Sequence, residues 1–199
     1  TNSAVNAGKK MVSALTIDPI RTGFSEYETK MNSVQTIMSN TASKGTTMAD
    51  VTKVLDELNT YADKTIYNFQ EMTRNIGTFT AAGVGLEESA TAIKGIANLA
   101  AASGSSSQQA STAMYQLSQA LAAGTVKLMD WNSVVNAGIG GEKFQEALKA
   151  TARAHGIAVD EMIKENGSFR DSLQDGWITA DVLNETLSKF TVEGAKAYS

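Results

Sequence analysis

Apolar residues along this chain recur at helical spacing almost throughout. Ile20, Phe24, Tyr27, Met31, Val34 and Met38 are separated alternately by four and three residues, a heptad stripe that puts all six on one helix face. Asp18-Pro19 predicts where that helix starts. The Asp side chain can accept a first-turn amide, and Pro at the first helical position has no N–H to leave unsatisfied. The helix is expected to end between Asn40 and Gly45, and residues 4–15 before it read as a weaker helix. A second apolar face opens near Thr47 or Met48 and runs through Val51, Leu55, Leu58, Ala62, Ile66, Phe69, Met72 or Thr73, Ile76 and Phe79 to Ala82. Asn59, Thr60 and Asp63 predict one break in it, because short polar side chains compete for backbone hydrogen bonds. Gly83 and Gly85 end the run, since Gly enters the left-handed conformation of a helix C-cap without steric cost.

Beyond Gly85 the pattern predicts a pair of helices, residues 86–102 and 107–123, stopped by Gly104 and Gly124. Ser105 to Ser107 are candidate N-caps for the second, with Gln108 and Gln109 placed for reciprocal capping. A connection this short makes the two expected antiparallel neighbours, and their Ala, Gly and Ser content suits close helix packing. The pieces then shorten. Asp130 reads as the N-cap of a helix over 131–137, residues 138–141 read as a flexible turn, and 142–154 are amphipathic through Phe144, Ala147, Leu148 and Thr151. Further short helices are expected over 158–164, 169–174 and 180–190, with Gly156, Gly167 and Gly176 as stops and Ser168 and Thr179 as caps. The fold class is therefore all-α. Long helices come first, and a compact array of short helices and αα-hairpins follows. The change in texture places a boundary between residues 1–82 and 83–199, and no repeat of 20–50 residues is present.

Composition narrows the chemistry sharply. Among 199 residues there are 0 Cys, 1 His and 1 Pro. Disulfides, thiolate metal sites and Cys nucleophiles are excluded, and any imidazole-based dyad has only His155 to draw on. A net charge of −4, with no polybasic run, argues against specific nucleic-acid binding. No apolar run is long enough for a membrane span, and no secretory signal opens the chain. A first residue other than Met suggests a segment of something longer, or a trimmed chain.

The remaining constellations are weighed individually. Gly138, Gly140 and Gly141 suggest a phosphate cradle, yet no strand precedes them and Gly141-Glu142-Lys143-Phe144 lacks the Lys-Ser/Thr of a P-loop. Asp171 and Asp175 share a helix face, whereas glycosidase carboxylates oppose one another across a cleft. Glu87-Glu88 and Asp160-Glu161 fall in first turns, where carboxylates favour the positive end of the helix dipole. His155 before Gly156 reads as a helix C-terminal residue, and Trp131 and Trp177 as core anchors. No catalytic, cofactor-binding or metal-binding residue is assigned, and no cofactor is implied. The stripe Phe24/Tyr27/Met31/Val34/Met38 remains. It is either buried against the chain's own helices or is a candidate self-association seam.

Several stretches resemble the N-terminal region of tape measure proteins of long-tailed phages and prophages, especially of Gram-positive hosts. These are Ile76 to Leu86 running into Ala92-Ile93-Lys94-Gly95-Ile96-Ala97-Asn98; Ala113 to Gly124 continuing through Val126 to Trp131; and Ser168 to Leu173 with Gly176-Trp177-Ile178-Thr179. Phe24 to Val34 is similar to the family's leading helix, and together the matches cover most of residues 18–191. The resemblance implies a structural, non-enzymatic role. Such chains are long and helical, several copies lie in the tail tube, and their length sets tail length. Assembly chaperones hold them beforehand, and they leave through the tail tip at infection. Expected partners are thus further copies of the chain, tail-tube and tail-tip or baseplate proteins, and tail-assembly chaperones. The expected location is the virion tail lumen or tip, after assembly in the host cytoplasm. At 1.5 Å per residue, 199 residues fit the folded region before a ruler better than the ruler itself. Two other classes compete: a peptidoglycan-hydrolase segment working through Glu and Asp, and a helical domain that binds a host or tail protein.

Overall fold

The computed structural model describes residues 24–62 and 69–191. These residues form ten α-helices and no strand. In chain order they are α1 (Phe24–Thr41), α2 (Met48–Ala62), α3 (Phe69–Ala81), α4 (Leu86–Ala102), α5 (Ser107–Ala123), α6 (Leu128–Asn136), α7 (Glu142–Ala154), α8 (Val159–Asn166), α9 (Phe169–Ser172) and α10 (Ala180–Ser188). Single 3-10 turns follow α1 (Ala42–Lys44) and α9 (Leu173–Asp175). The all-α expectation holds, with long helices first and shorter ones after α5. The helix 4–15 and the Asp18-Pro19 start lie outside the described residues.

The chain divides into two compact units, residues 1–90 and 91–199. In the first, α1, α2 and α3 pack on one another. Their core is mainly aliphatic, with Val34, Ile37, Val51, Val54, Leu55, Leu58, Ile76 and Phe79 fully or nearly fully buried. Asn40 ties α1 to α3 by donating to Gly77 O (3.3 Å) and Thr80 Oγ1 (3.2 Å). Lys44 donates to Gly83 O (2.8 Å), a carbonyl just past the end of α3, where a cation complements the helix dipole. The break expected around Asn59, Thr60 and Asp63 falls at the end of α2, which continues through Asn59 and Thr60 to Ala62, and Asp63 lies outside the described residues. Thr60 stays helical by donating back to Asp56 O (3.2 Å).

In the second unit α5 packs on α6 and on α10, α7 packs on α10 and α8, and α8 packs on α9. The expected hairpin of α4 with α5 is not among the well-packed pairs; α5 with α6 and α7 with α8 pack instead, each pair joined by a short link. The closest packing of α5 is with α6 and α10 rather than with α4. For α4, a close approach to α10 is visible at Gly95, which is buried inside the helix. A Cβ at Gly95 would overlap the carbonyl of Leu187 and lie 3.1 Å from the Leu187 side chain. Asn98, one turn on, donates to Phe190 O beyond the end of α10. A helix-interior Gly is unfavourable for propensity by about 1 kcal/mol; here it lets two backbones meet.

Capping chemistry sets most of the boundaries. Ser106 and Gln109 form a reciprocal capping box at α5 (3.1 and 3.0 Å), so Gln109 rather than Gln108 supplies the return bond. Thr47 and Asp50 form the same arrangement at α2. Ser168 and Thr179 accept from Asp171 N (3.0 Å) and Val182 N (3.2 Å), as expected. Asp130 does not occupy the N-cap position. The helix starts earlier, at Leu128, with Lys127 at the cap, and Asp130 reaches back to accept the Lys127 N–H (2.8 Å). Lys has no acceptor in its side chain to offer a first-turn amide, so only the return half of a capping box is made, with the Asp130 carboxylate on the cap residue's own N–H. Just before α6, Val126 N donates to Ile178 O (2.9 Å) and Ala180 N to Gly124 O (2.8 Å), an isolated antiparallel bridge at Thr125 and Thr179.

Candidate functional site

The aromatic residues of the second unit gather into one cluster. Trp131 stacks against Phe144 (centroids 5.9 Å apart) and lies 4.9 Å from Phe169. Phe169 meets Trp177 edge-on at 5.5 Å, and Phe144 meets Phe190 edge-on at 6.0 Å. Trp177 donates its indole N–H to Ser172 Oγ (2.9 Å), which satisfies the polar end of a buried ring. Both Trp residues are buried. They are core anchors, as the sequence predicts, and present no platform to a ligand.

None of the sequence candidates for chemistry assembles into a reaction centre. Asp175 accepts from Asn166 Nδ2 (2.7 Å), while the Asp171 amide is held by Ser168. Both carboxylates are exposed. Around the glycine-rich turn, Gly138 adopts φ 77° and Ile139 is buried, so this segment is a packed connection into α7. No three His, Cys, Asp or Glu side chains among the described residues are grouped to hold a metal.

What the structure does assemble is a set of polar side-chain contacts on the α7, α8 and α10 face. Arg153 grips Asp160 through two parallel bonds (2.7 and 2.6 Å), holding that carboxyl below its ordinary value and raising the guanidinium further. His155 contacts Glu185 across to α10, and this hydrogen bond lowers the Glu185 carboxyl. Beside them Thr151 Oγ1 accepts from Thr186 Oγ1 and from Lys189 Nζ, both at 2.8 Å. His155 was expected as a helix C-terminal residue, and it does cap α7. Its partner Glu185 is thirty residues away, and no local signal pointed to it. In the first unit Asp50 is likewise lowered, chiefly by the Thr47 backbone hydrogen bond.

Two open hollows lie in the second unit. The larger, about 590 Å³, has an apolar floor of Val126 and Leu173 and a rim that includes Lys127, Arg170, Asp171 and Gln174. The smaller, about 290 Å³, lies between the start of α5 and the end of α6 and is lined without any charge by Ser106, Gln108, Gln109, Thr112, Ser133 and Asn136, with Ala137.

The candidate self-association stripe lies along α1. Val34 is 2% exposed and belongs to the core of the first unit, and Met38 is half-buried. Phe24, Tyr27 and Met31 are on the same helix, with side chains outside the described ones.

The described residues are mainly helical, and many of their polar side chains cap helices or pair with one another. The tape measure protein family model matches residues 23–199, and the chain belongs to that family. It is a structural protein of the phage tail, and its place is the virion tail. No curated protein and no solved structure matches it. No helix of the described residues is long and apolar enough to cross a membrane.

Proposed function

We propose that this chain is the folded region of a tape measure protein from a long-tailed phage of the Gram-positive-host type, one that sets tail length during assembly and leaves through the tail at infection. The family match over residues 23–199 carries the reading. The helices support the division of labour within it. The longest among the described residues, α1, has 18 residues, which at 1.5 Å per residue spans about 27 Å. The helices then pack back on one another, so this part adds little contour length and the ruler is sought elsewhere in the parent reading frame.

In this reading the chain is not an enzyme. It acts as several copies, with the α1 stripe Phe24/Tyr27/Met31/Val34/Met38 as one contact between them. It is held by tail-assembly chaperones in the host cytoplasm and later lies against tail-tube and tail-tip or baseplate proteins. The test is electron microscopy of phage carrying in-frame deletions in the parent gene. Deletions in extended helical segments outside residues 23–191 are expected to shorten the tail by about 1.5 Å per residue removed. Tails of unchanged length for every such deletion would overturn the length-setting role, and cleavage of purified peptidoglycan by the 199-residue chain would overturn the non-enzymatic one.

A further inference from the structure

The larger hollow of the second unit collects charges that the fold itself does not use. Lys127 and Arg170 both line it and are exposed, and neither side chain has an ion-pair or hydrogen-bond partner among the described residues. Other cations of the same unit are engaged: Arg153 with Asp160, Lys149 with Glu146, and Lys189 with Thr151. Asp171 is the one carboxylate in the lining, so the rim carries a positive excess in a chain of net charge −4. The first turn of α6 opens on the same rim at Leu128, and its amides carry the positive end of the helix dipole. The occupant that fits is anionic. At about 590 Å³ the hollow is far larger than a single inorganic anion needs, and its floor of Val126 and Leu173 is apolar.

The backbone at Thr125 limits what carries the negative charge. In the bridge to Thr179, Val126 N donates to Ile178 O and Ala180 N to Gly124 O. Successive peptide groups of an extended segment point to opposite sides, so the N–H and C=O of Thr125 itself turn away from residues 178–180. Neither has a partner among the described residues. The corresponding groups of Thr179 are used: its N–H donates to Trp177 O (3.0 Å) and its C=O accepts from Leu183 N (2.9 Å). One edge of this two-stranded contact is therefore closed, and the other, at Thr125, is open and belongs to the lining of the hollow. An open edge is completed by an extended polypeptide, whereas a free phosphate makes no use of it. Alternate side chains of such a strand point to opposite faces, so apolar ones meet the floor and acidic ones the rim.

We propose that the hollow between the start of α6 and α9 is a docking groove for an acidic segment of another protein, which adds as an extended strand beside Thr125 and pairs its carboxylates with Lys127 and Arg170. The contact is separate from the α1 stripe and does not rest on the length-setting reading.

The experiment uses a fluorescent, end-capped peptide in which Asp alternates with Val, titrated with the 199-residue chain and followed by fluorescence polarisation. Circular dichroism of each variant confirms the helical fold. Wild type is expected to bind this peptide, and to bind its counterpart with Lys in place of Asp at least about tenfold more weakly. Lys127→Gln and Arg170→Gln each remove a charged hydrogen-bond donor from an exposed position and are expected to weaken binding about tenfold. Lys53→Gln, in the first unit, should leave the affinity unchanged. Methylation of alternate peptide amides reads the strand pairing. Methyl groups in one phase should abolish binding and those in the other phase should be tolerated, and the Thr125 amide should exchange with deuterium more slowly in the complex. No binding by wild type, undiminished affinity in both Gln variants, or equal losses for the two phases of methylation would overturn the proposal. Inorganic phosphate that displaces the peptide as effectively as unlabelled peptide does would also overturn it, by assigning the groove to a phosphate-bearing ligand. Each of these results leaves the proposed function standing, because tail length is measured separately.

Discussion

Residues 24–90 and residues 91–191 are both built from helices, and their interiors are made of different side chains. The first unit buries rows of Val, Leu and Ile on three helices of 13–18 residues, with Phe79 among them. From α6 onward the second unit uses helices of 4–13 residues and gathers Trp131, Phe144, Phe169, Trp177 and Phe190 from five separate places in the chain. A long helix can bury a continuous aliphatic stripe. A two-turn helix has few inward positions, and a large ring at each supplies area that several aliphatic residues would otherwise provide. Length of helix and size of core side chain thus trade against each other.

The two interiors can be perturbed separately, because both Trp residues of the chain belong to the second unit. Trp131→Ala is expected to destabilise the second unit by about 3–5 kcal/mol, read as a lower melting midpoint in the fluorescence of Trp177. Phe79→Ala should cost the first unit a similar amount, lowering part of the circular dichroism melt while the Trp midpoint holds. If both probes shift together for Phe79→Ala, the two interiors melt as one and the contrast fails. Next in size is Gly95→Ala. The added methyl overlaps the Leu187 carbonyl, and overpacking of this kind costs about 1–3 kcal/mol, again in the Trp-reported transition. A stabilised variant would mean that the α4–α10 approach is looser than described.

Ser106→Ala removes one half of the α5 capping box. An expected loss of about 1 kcal/mol in the second unit is measurable by urea denaturation, and no change in midpoint would refute the role of the cap. Smallest is the acid response. Asp160 is lowered by Arg153, so its stabilising contribution is complete above the ordinary carboxylate range and fades as pH falls through the lowered value. Asp160→Asn should therefore melt slightly below wild type at about pH 7 and converge on it between about pH 5 and pH 3, losing less on acidification. Equal losses for both chains would remove Asp160 from the acid response. Asp50 and Glu185, lowered by their own partners, act with the same sign.

Much of the fold was legible because its signals are local. Residues 86–102 and 142–154 coincide with α4 and α7, since each has a 3.6-residue apolar rhythm and a Gly just beyond its end. Ser168 and Thr179 were readable as caps for the same reason. Asp130 was misplaced because a carboxylate at the third helical position resembles one at the cap, and only the amide it accepts from tells them apart. The bonds that close the fold were not legible. Gly95 looks like a propensity defect until Leu187 is beside it, and His155 has no visible partner until α10 brings Glu185.

The approach at Gly95 also gives this region a mechanical grain. With no side chain between the two backbones, Leu187 cannot slide along α4 without lifting away from it, and the Asn98 amide holds Phe190 just beyond the end of α10. A pull on the chain past Thr191 therefore loads Phe190 at once through its carbonyl, held by Asn98, and through its ring, set edge-on against Phe144, with the helix crossing next in line. One residue thus serves as both latch and outermost ring of the aromatic core.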